Sequence, residues 1–146
     1  MIRTCTDNVS DALGDFQRGR ATGLGVRYEL SIGQEYRVLG MLQWETTLFF
    51  IVNGDHGAPV AVPAGLFEAS FSPLPADWWF ALGSGIKMSG TALWENPLVA
   101  IWGYRELVEE PGHLDSLLEG ESGACAVFYR RLRGETEVSD GSNRLF

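Results

Sequence analysis

The sequence predicts an α+β fold: a curled antiparallel β-sheet arranged as a meander, with one or two short helices. Apolar runs of strand length, rich in β-branched and aromatic residues, alternate with clusters of turn residues. Only one segment places leucines at helical spacing. Sheets of this kind also close on themselves, so a barrel-like arrangement is an alternative within the same class.

Three consecutive strands form the predicted meander. In YELSIGQEYRVLGMLQW, Gly33 suits a turn, and Tyr36, Val38 and Leu39 then favour a strand. The next strand is TTLFFIVNGD, a nearly continuous apolar run that ends in NGDHG at 53–57. These turn residues tolerate positive φ and therefore favour a hairpin. The third strand is APVAVP, whose prolines mark its ends because proline cannot donate to a ladder.

Further strands are predicted after the meander. Trp78, Trp79 and Phe80 follow a proline-rich stretch, and strand alternation puts Trp79 on the face opposite to its two neighbours. The run LVAIW at 98–102 favours another strand. The run ACAVFYRRL fits either a final strand or the end of a helix.

The segment RELVEEPGHLDSLLEGE contains the predicted helix. Pro111 suits the first helical residue, and Gly120 suits the left-handed position that ends a helix. Between them, Leu114, Leu117 and Leu118 recur at the spacing of one buried stripe.

The same segment carries six carboxylates and one arginine. A solvated helix face explains this charge, and so does a docking surface for a basic protein, because opposed potentials speed encounter. Exposed tryptophans would add an apolar anchor. The predicted partner-binding residues are the six acids Glu106, Glu109, Glu110, Asp115, Glu119 and Glu121 and the two tryptophans Trp78 and Trp79.

Length and composition predict one globular domain with polar ends. A chain of 146 residues with 45% hydrophobic residues is long enough to bury a core. We assign residues 26–133 to the domain, 1–25 to a flexible N-terminal segment and 134–146 to a polar tail. Eleven basic and nineteen acidic residues give a net charge of −8, which disfavours nucleic acids and anionic membranes as partners.

The sequence favours a cytoplasmic protein without a cofactor or a metal. Its first twenty residues lack a continuous apolar stretch, and Cys5 and Cys125 are expected to be free thiols. Cysteines and histidines share no metal-ligand spacing. The glycines at 23–25 and 83–87 do not complete a nucleotide-binding motif.

No enzyme class is predicted. The pair Asp55 and His56 is the first that an enzymatic hypothesis would inspect, but turn chemistry explains Asp55. A small-molecule-binding domain is the alternative function, in which a curled sheet encloses a pocket lined by Trp44, Trp79 or Trp102.

Four stretches carry a resemblance to a known family: LSIGQEYRVLGM, LFFIVNGD, PVAVPAGLFE and GYRELVEEPGHLDSLLEGESGACAVFYRR. Together they resemble small cytoplasmic bacterial immunity proteins of polymorphic toxin systems, across residues 28–132. The resemblance implies a non-enzymatic inhibitor that binds a cognate toxin domain and blocks it or holds it inactive. Many such toxins are basic nucleases, for which an acidic partner is suited. The resemblance assigns no functional residue, so the site residues above rest on charge and exposure.

Overall fold

The computed structural model describes residues 1–10, 26–82 and 98–134. Within these ranges the chain forms an α+β domain, as predicted, with nine strands and three α-helices. The strands are Ile2–Thr4 (β1), Val9–Ser10 (β2), Val26–Arg27 (β3), Glu35–Arg37 (β4), Gly40–Trp44 (β5), Thr47–Asn53 (β6), Pro59–Pro63 (β7), Trp79–Leu82 (β8) and Leu98–Gly103 (β9). The helices are Arg105–Glu109 (α1), His113–Leu118 (α2) and Ser122–Leu132 (α3), and a 3-10 turn covers Ala64–Leu66.

Five strands form the main antiparallel sheet, in the order β7-β6-β5-β9-β8. The predicted meander is confirmed as β5-β6-β7, and the turn at 53–57 joins β6 to β7 with Gly57 at a φ of 78°. Its first strand begins later than predicted, because Tyr36 lies in β4, which pairs with β1, and Val38 and Leu39 precede β5. The barrel-like alternative is wrong for the described strands, because β7 and β8 lie at opposite edges of an open sheet. Two small sheets, β1-β4 and β2-β3, complete the strand pairing in the described ranges.

The main sheet separates two hydrophobic clusters. Successive side chains of β6 point to opposite faces, so Phe49 belongs to one cluster and Phe50 to the other. The first cluster, the helix-side cluster, joins the sheet to α1, α2 and α3 through residues such as Leu107, Leu117 and Phe128. The second, the N-terminal cluster, joins β6 and β7 to Cys5 and to residues 28–38.

Helix α1 lies close to the sheet because two glycines face each other where β5 begins and β9 ends. Gly40 and Gly103 are direct partners in the β5-β9 ladder. Gly103 has a positive φ of 152°, and a Cβ there would lie 2.7 Å from Cδ2 of Leu107. The absent side chains leave the space that Leu107 fills. This contact holds α1 against β9 and against the edge strand β8.

The acidic segment forms two helices rather than one. Pro111 falls between them, and Gly112 takes a left-handed φ of 79° immediately before α2. Because Gly112 leaves the helical conformation, α2 begins two residues later than predicted. Gly120 ends α2 with a φ of 78°, as expected. The ambiguous run ACAVFYRRL belongs to α3, so the described residues contain three α-helices where one or two were expected.

Residues 1–10 were assigned to a flexible segment, but in the structure they belong to the folded domain. Strand β1 pairs with β4, and Cys5 is only 1% exposed. The backbone N–H of Cys5 donates to the carbonyl of Gln34 at 2.9 Å, so backbone pairing and burial both hold this end of the chain. The remainder of 1–25, the glycine-rich stretch at 83–87 and the tail beyond residue 134 lie outside the described residues.

Candidate protein-binding surface

Strand β8 carries large apolar side chains that remain in solvent on both faces of the sheet. Trp79, Phe80 and Leu82 are 45%, 52% and 58% exposed. Phe80 stacks on the half-buried Trp102 of β9, with ring centroids 5.1 Å apart. We call these four residues the β8 patch. Isolated exposed apolar residues are ordinary, but several on one edge strand, with Phe80, Leu82 and Trp102 together on one face, are typical of an interaction site in soluble proteins.

The two faces of β8 meet different surroundings. Ala81 packs against the helix-side cluster, and Trp79 points to the same face because it lies two residues away. There the guanidinium carbon of Arg105 lies 5.3 Å from the centroid of the Trp79 ring. Arg105 also donates through Nε to Oε1 of Glu109 at 2.6 Å. The structure therefore joins Trp79 and Glu109, two predicted site residues, through one arginine of α1.

Glu106 is withdrawn from the surface. Its Oε1 accepts hydrogen bonds from Nη2 and Nε of Arg131 on α3, at 2.7 and 3.0 Å. The two side chains are only 18% and 21% exposed. Burial acts to raise the pKa of Glu106, but its backbone hydrogen bond and Arg131 outweigh burial, so the pKa lies below its usual value. This ion pair fastens α1 to α3, and the prediction that Glu106 meets a partner stays untested.

Two of the predicted acids lie at helix C-termini, where a negative charge destabilises the helix. Glu110 is the C-cap of α1 and Glu119 is the C-cap of α2, and neither helix has a basic residue in its last turn. A carboxylate at a helix C-terminus opposes the partial negative charge of the free carbonyl groups. Both side chains are exposed and form no ion pair with any described residue. Helix stability therefore gives no reason for acidic residues at these two positions.

The remaining predicted residues lie around α2 and behind β8. Glu121 is exposed and, together with Glu110, lines a shallow cavity of about 250 Å3 between the starts of α2 and α3. Asp115 is half-buried in the first turn of α2. Trp78 is half-buried and packs against the N-terminal cluster, on the side away from Trp79. Trp78 therefore contributes to the core, and Trp79 is the tryptophan of this pair that faces solvent.

A buried histidine lies beneath the same cavity. His113 is 7% exposed, and its Nε2 lies 2.7 Å from the hydroxyl of Tyr104. Burial lowers the pKa of His113, although the nearby Glu110, Glu106 and Glu121 act in the opposite direction. The ring is therefore neutral at physiological pH and serves to connect α2 to the end of β9.

The pair Asp55 and His56 does not form an acid-base couple. Asp55 accepts hydrogen bonds from Oγ of Ser31 at 2.6 Å and from the hydroxyl of Tyr36. These two bonds lower the pKa of Asp55. The ring of His56 points instead to Glu29, with Nδ1 3.0 Å from Oε1, and is 74% exposed. Both side chains hold the turn between β6 and β7 against its neighbours.

The tryptophans named for an aromatic pocket lie apart. Trp44 is buried in the helix-side cluster and pairs with Leu98 at one end of the β5-β9 ladder. Trp79 pairs with Gly103 at the other end of β9. Trp102 points to the opposite face, where it contacts Phe80. These three side chains therefore line no common cavity.

Four residues of this surface were missed from the sequence. Phe80 and Leu82 were assigned to the apolar segment that follows Trp79 and not to a binding site. Trp102 was considered only as a residue of the aromatic pocket, and Arg105 only as the single basic residue of the acidic segment. The signal was the run WWFAL, which is apolar at every position although β8 borders the sheet. An edge strand with one solvated face usually alternates apolar and polar residues. A strand at the edge that is apolar at every position therefore leaves some apolar side chains in solvent.

Comparisons of the chain with protein families, with curated proteins and with solved structures find no match. In the described part of the chain, no helix is long and apolar enough to span a bilayer. The same residues hold no group of three or more histidine, cysteine or acidic side chains arranged to bind a metal ion.

Proposed function

We propose that this protein is a non-catalytic immunity protein that neutralises a basic toxin domain by binding it through the β8 patch and the carboxylates beside it. One observation carries the proposal: solvent-exposed aromatic residues on β8 adjoin α1, whose C-terminal acid Glu110 opposes its own helix dipole. The resemblance to immunity proteins of polymorphic toxin systems agrees with this reading.

The two parts of the surface have different energetic roles. Aromatic side chains supply most of the binding energy in protein interfaces, since they bury a large area at a small cost in side-chain entropy. Exposed carboxylates such as Glu110 and Glu119 add little affinity, but they speed the encounter with a cationic protein. The net charge of −8 acts in the same direction. The β8 patch therefore governs dissociation, and the acids govern association.

Growth rescue is the direct test of the proposal. The C-terminal domain of the protein encoded immediately upstream is expressed in bacteria with and without this chain. We expect toxicity from the domain alone, rescue by co-expression and a stable complex of the purified proteins. A harmless domain, or rescue without a complex, would contradict the proposal.

Substitution of Trp79 tests the contribution of the β8 patch. Trp79→Ala should weaken binding of that toxin domain by about 2 kcal/mol, or ~30-fold in Kd, mainly through faster dissociation. Ile32→Ala is the matched control, because Ile32 is 63% exposed in the turn before β4. Equal affinities for the two variants would place the binding surface elsewhere.

Charge reversal tests the contribution of the acids. The double variant Glu110→Lys/Glu119→Lys should associate about tenfold more slowly at low salt, with a weaker dependence on ionic strength. The pair Glu35→Lys/Glu45→Lys makes the same change in net charge at exposed positions outside the helices. If both pairs slow association equally, overall charge and not this surface steers the partner.

A further inference from the structure

We infer that the partner docks by adding a β-strand to the free edge of β8. This inference rests on the proposed function and specifies the binding mode of the same surface. It combines the backbone of β8, which belongs to the edge of the main sheet, with the exposed side chains of the β8 patch. Main-chain hydrogen bonds supply affinity in such complexes, and side-chain pockets supply specificity.

The two edges of the main sheet are protected to different degrees. Strand β7 has prolines at both ends, Pro59 and Pro63, and its other residues are buried or half-buried. Prolines and covering elements are standard means of blocking an edge against further pairing. Strand β8 has neither proline nor charge, and three of its four residues are exposed. Among the described residues, β8 pairs only with β9, so alternate N–H and C=O groups of β8 point away from the sheet.

Side chains on both sides of this edge would hold an incoming strand. On the helix face the strand would lie beside Trp79 and the paired side chains of Arg105 and Glu109. On the opposite face it would lie beside Phe80 and Leu82. A strand with alternating residues fits this arrangement, since its apolar side chains would cover Phe80 and Leu82.

Charge identifies the occupant as a cationic protein. Glu109 compensates Arg105, and Arg131 compensates Glu106, which leaves Glu110 at the end of α1 without an ion pair among the described residues. This uncompensated carboxylate and the net charge of −8 attract a cationic protein. The occupant is therefore a segment of the basic toxin domain whose apolar side chains cover Phe80 and Leu82.

A second copy of this chain fits the edge less well. Two copies would bring together net charges of −8 each. Pairing of two four-residue strands would also bury much less than the ~1,600 Å2 of an ordinary stable interface. A toxin domain with its own sheet and loops can extend the contact over α1.

Residue-resolved amide exchange is the test. The probe is the C-terminal toxin domain encoded immediately upstream, added to the full chain. In the free protein, amides of Trp79–Leu82 should alternate between protected residues that face β9 and rapidly exchanging residues that face outward. In the complex the outward amides should exchange at least tenfold more slowly, so the alternation disappears.

The outcomes separate the binding mode from the function. If the complex forms and protects growth while alternation in β8 persists, strand addition is wrong and the proposed function stands. If no complex forms, both are wrong. If all amides of β8 are protected from exchange in the free protein, strand addition by the toxin is wrong, because this chain itself then occupies the edge. A dimeric mass of the free protein would identify the occupant as a second copy.

Proline substitutions give an independent readout. Adjacent residues direct their N–H groups to opposite sides, so one of Phe80→Pro and Ala81→Pro breaks the ladder with β9 and lowers the Tm. The other removes a donor from the free edge and keeps the Tm. We expect this second variant to bind the toxin domain at least tenfold more weakly, with Phe80→Ala as the side-chain control. Unchanged affinity in the variant that keeps the Tm would overturn strand addition.

Discussion

The helix side of the main sheet is closed except at Trp79 on the edge, whereas the opposite side is closed over β6 and β7 and open over β8. Phe128 and Ile101 on the helix side are 0% and 2% exposed, but Phe80 and Leu82 on the other side are 52% and 58% exposed. Apolar area stabilises a fold only where folding removes it from water. Residues of the same chemical type therefore serve stability on the helix side and remain available for binding at β8.

The largest expected effect is on the closed side. Phe128→Ala should destabilise the domain by about 3–5 kcal/mol, because it leaves a cavity among Tyr104, Leu117 and their neighbours in the helix-side cluster. Urea unfolding measures the change. Phe80→Ala is the paired variant and should cost less than ~1 kcal/mol, since half of that ring is already in solvent. Similar losses for both would remove the contrast between the two sides.

Closing the gap under α1 should have the next largest effect. Gly103→Ala places a Cβ 2.9 Å from the carbonyl oxygen of Leu39 at a positive φ, and should cost about 2–3 kcal/mol. The new methyl group also displaces Leu107 and hence α1. Gly65→Ala is the control, because its Cβ would meet no atom within 4 Å. Thermal unfolding should show a lower Tm for the first variant and none of this loss for the second.

Removal of one partner from the ion pair between α1 and α3 should have a moderate effect. Glu106→Gln should cost about 1–2 kcal/mol, less than for a fully buried pair because both side chains retain some exposure. Glu109→Gln, in the exposed pair with Arg105, should change the stability far less. Chemical denaturation at pH 7 compares the two variants.

Acidification should remove the contribution of Glu106. Its pKa is lower in the folded state than the usual value of 4.5, so the stabilisation is complete above pH 4.5 and is lost as the pH falls through the folded value. The difference between wild type and Glu106→Gln should shrink over that range. A difference that stays constant down to pH 3 would show that packing and not charge holds α1 to α3.

The smallest expected effect concerns the buried histidine of the closed side. Burial lowers the pKa of His113 below 6.5, so the unfolded state takes up a proton that the folded state resists. Stability should therefore fall below pH 6.5, by at most about 1.4 kcal/mol per pH unit. His113→Gln should abolish this fall between pH 7 and 5.5, whereas His56→Gln at the exposed turn should keep it. Unfolding free energies across that range provide the measurement.

The strand pattern was readable from the sequence because local features specify it. The prolines that flank β7, the NGDHG turn and the apolar run of β6 each restrict the backbone independently of distant residues. The same reasoning left ACAVFYRRL undecided, because a short apolar run fits both periods. In the structure this segment forms helix α3, which packs against the sheet and against α2, and Phe128 is buried in that contact.

The candidate site was readable only in part. The sequence by itself determined that the chain is acidic, that its carboxylates gather after β9 and that aromatic residues gather in WWFAL. It could not distinguish Glu106, which Arg131 compensates from 25 positions away, from Glu110, which stays exposed. Only the tertiary structure placed WWFAL at an open edge and set α1 beside it. Strand order and ion pairing depend on residues far apart in the chain, so no local pattern encodes which side chains are covered and which remain in water.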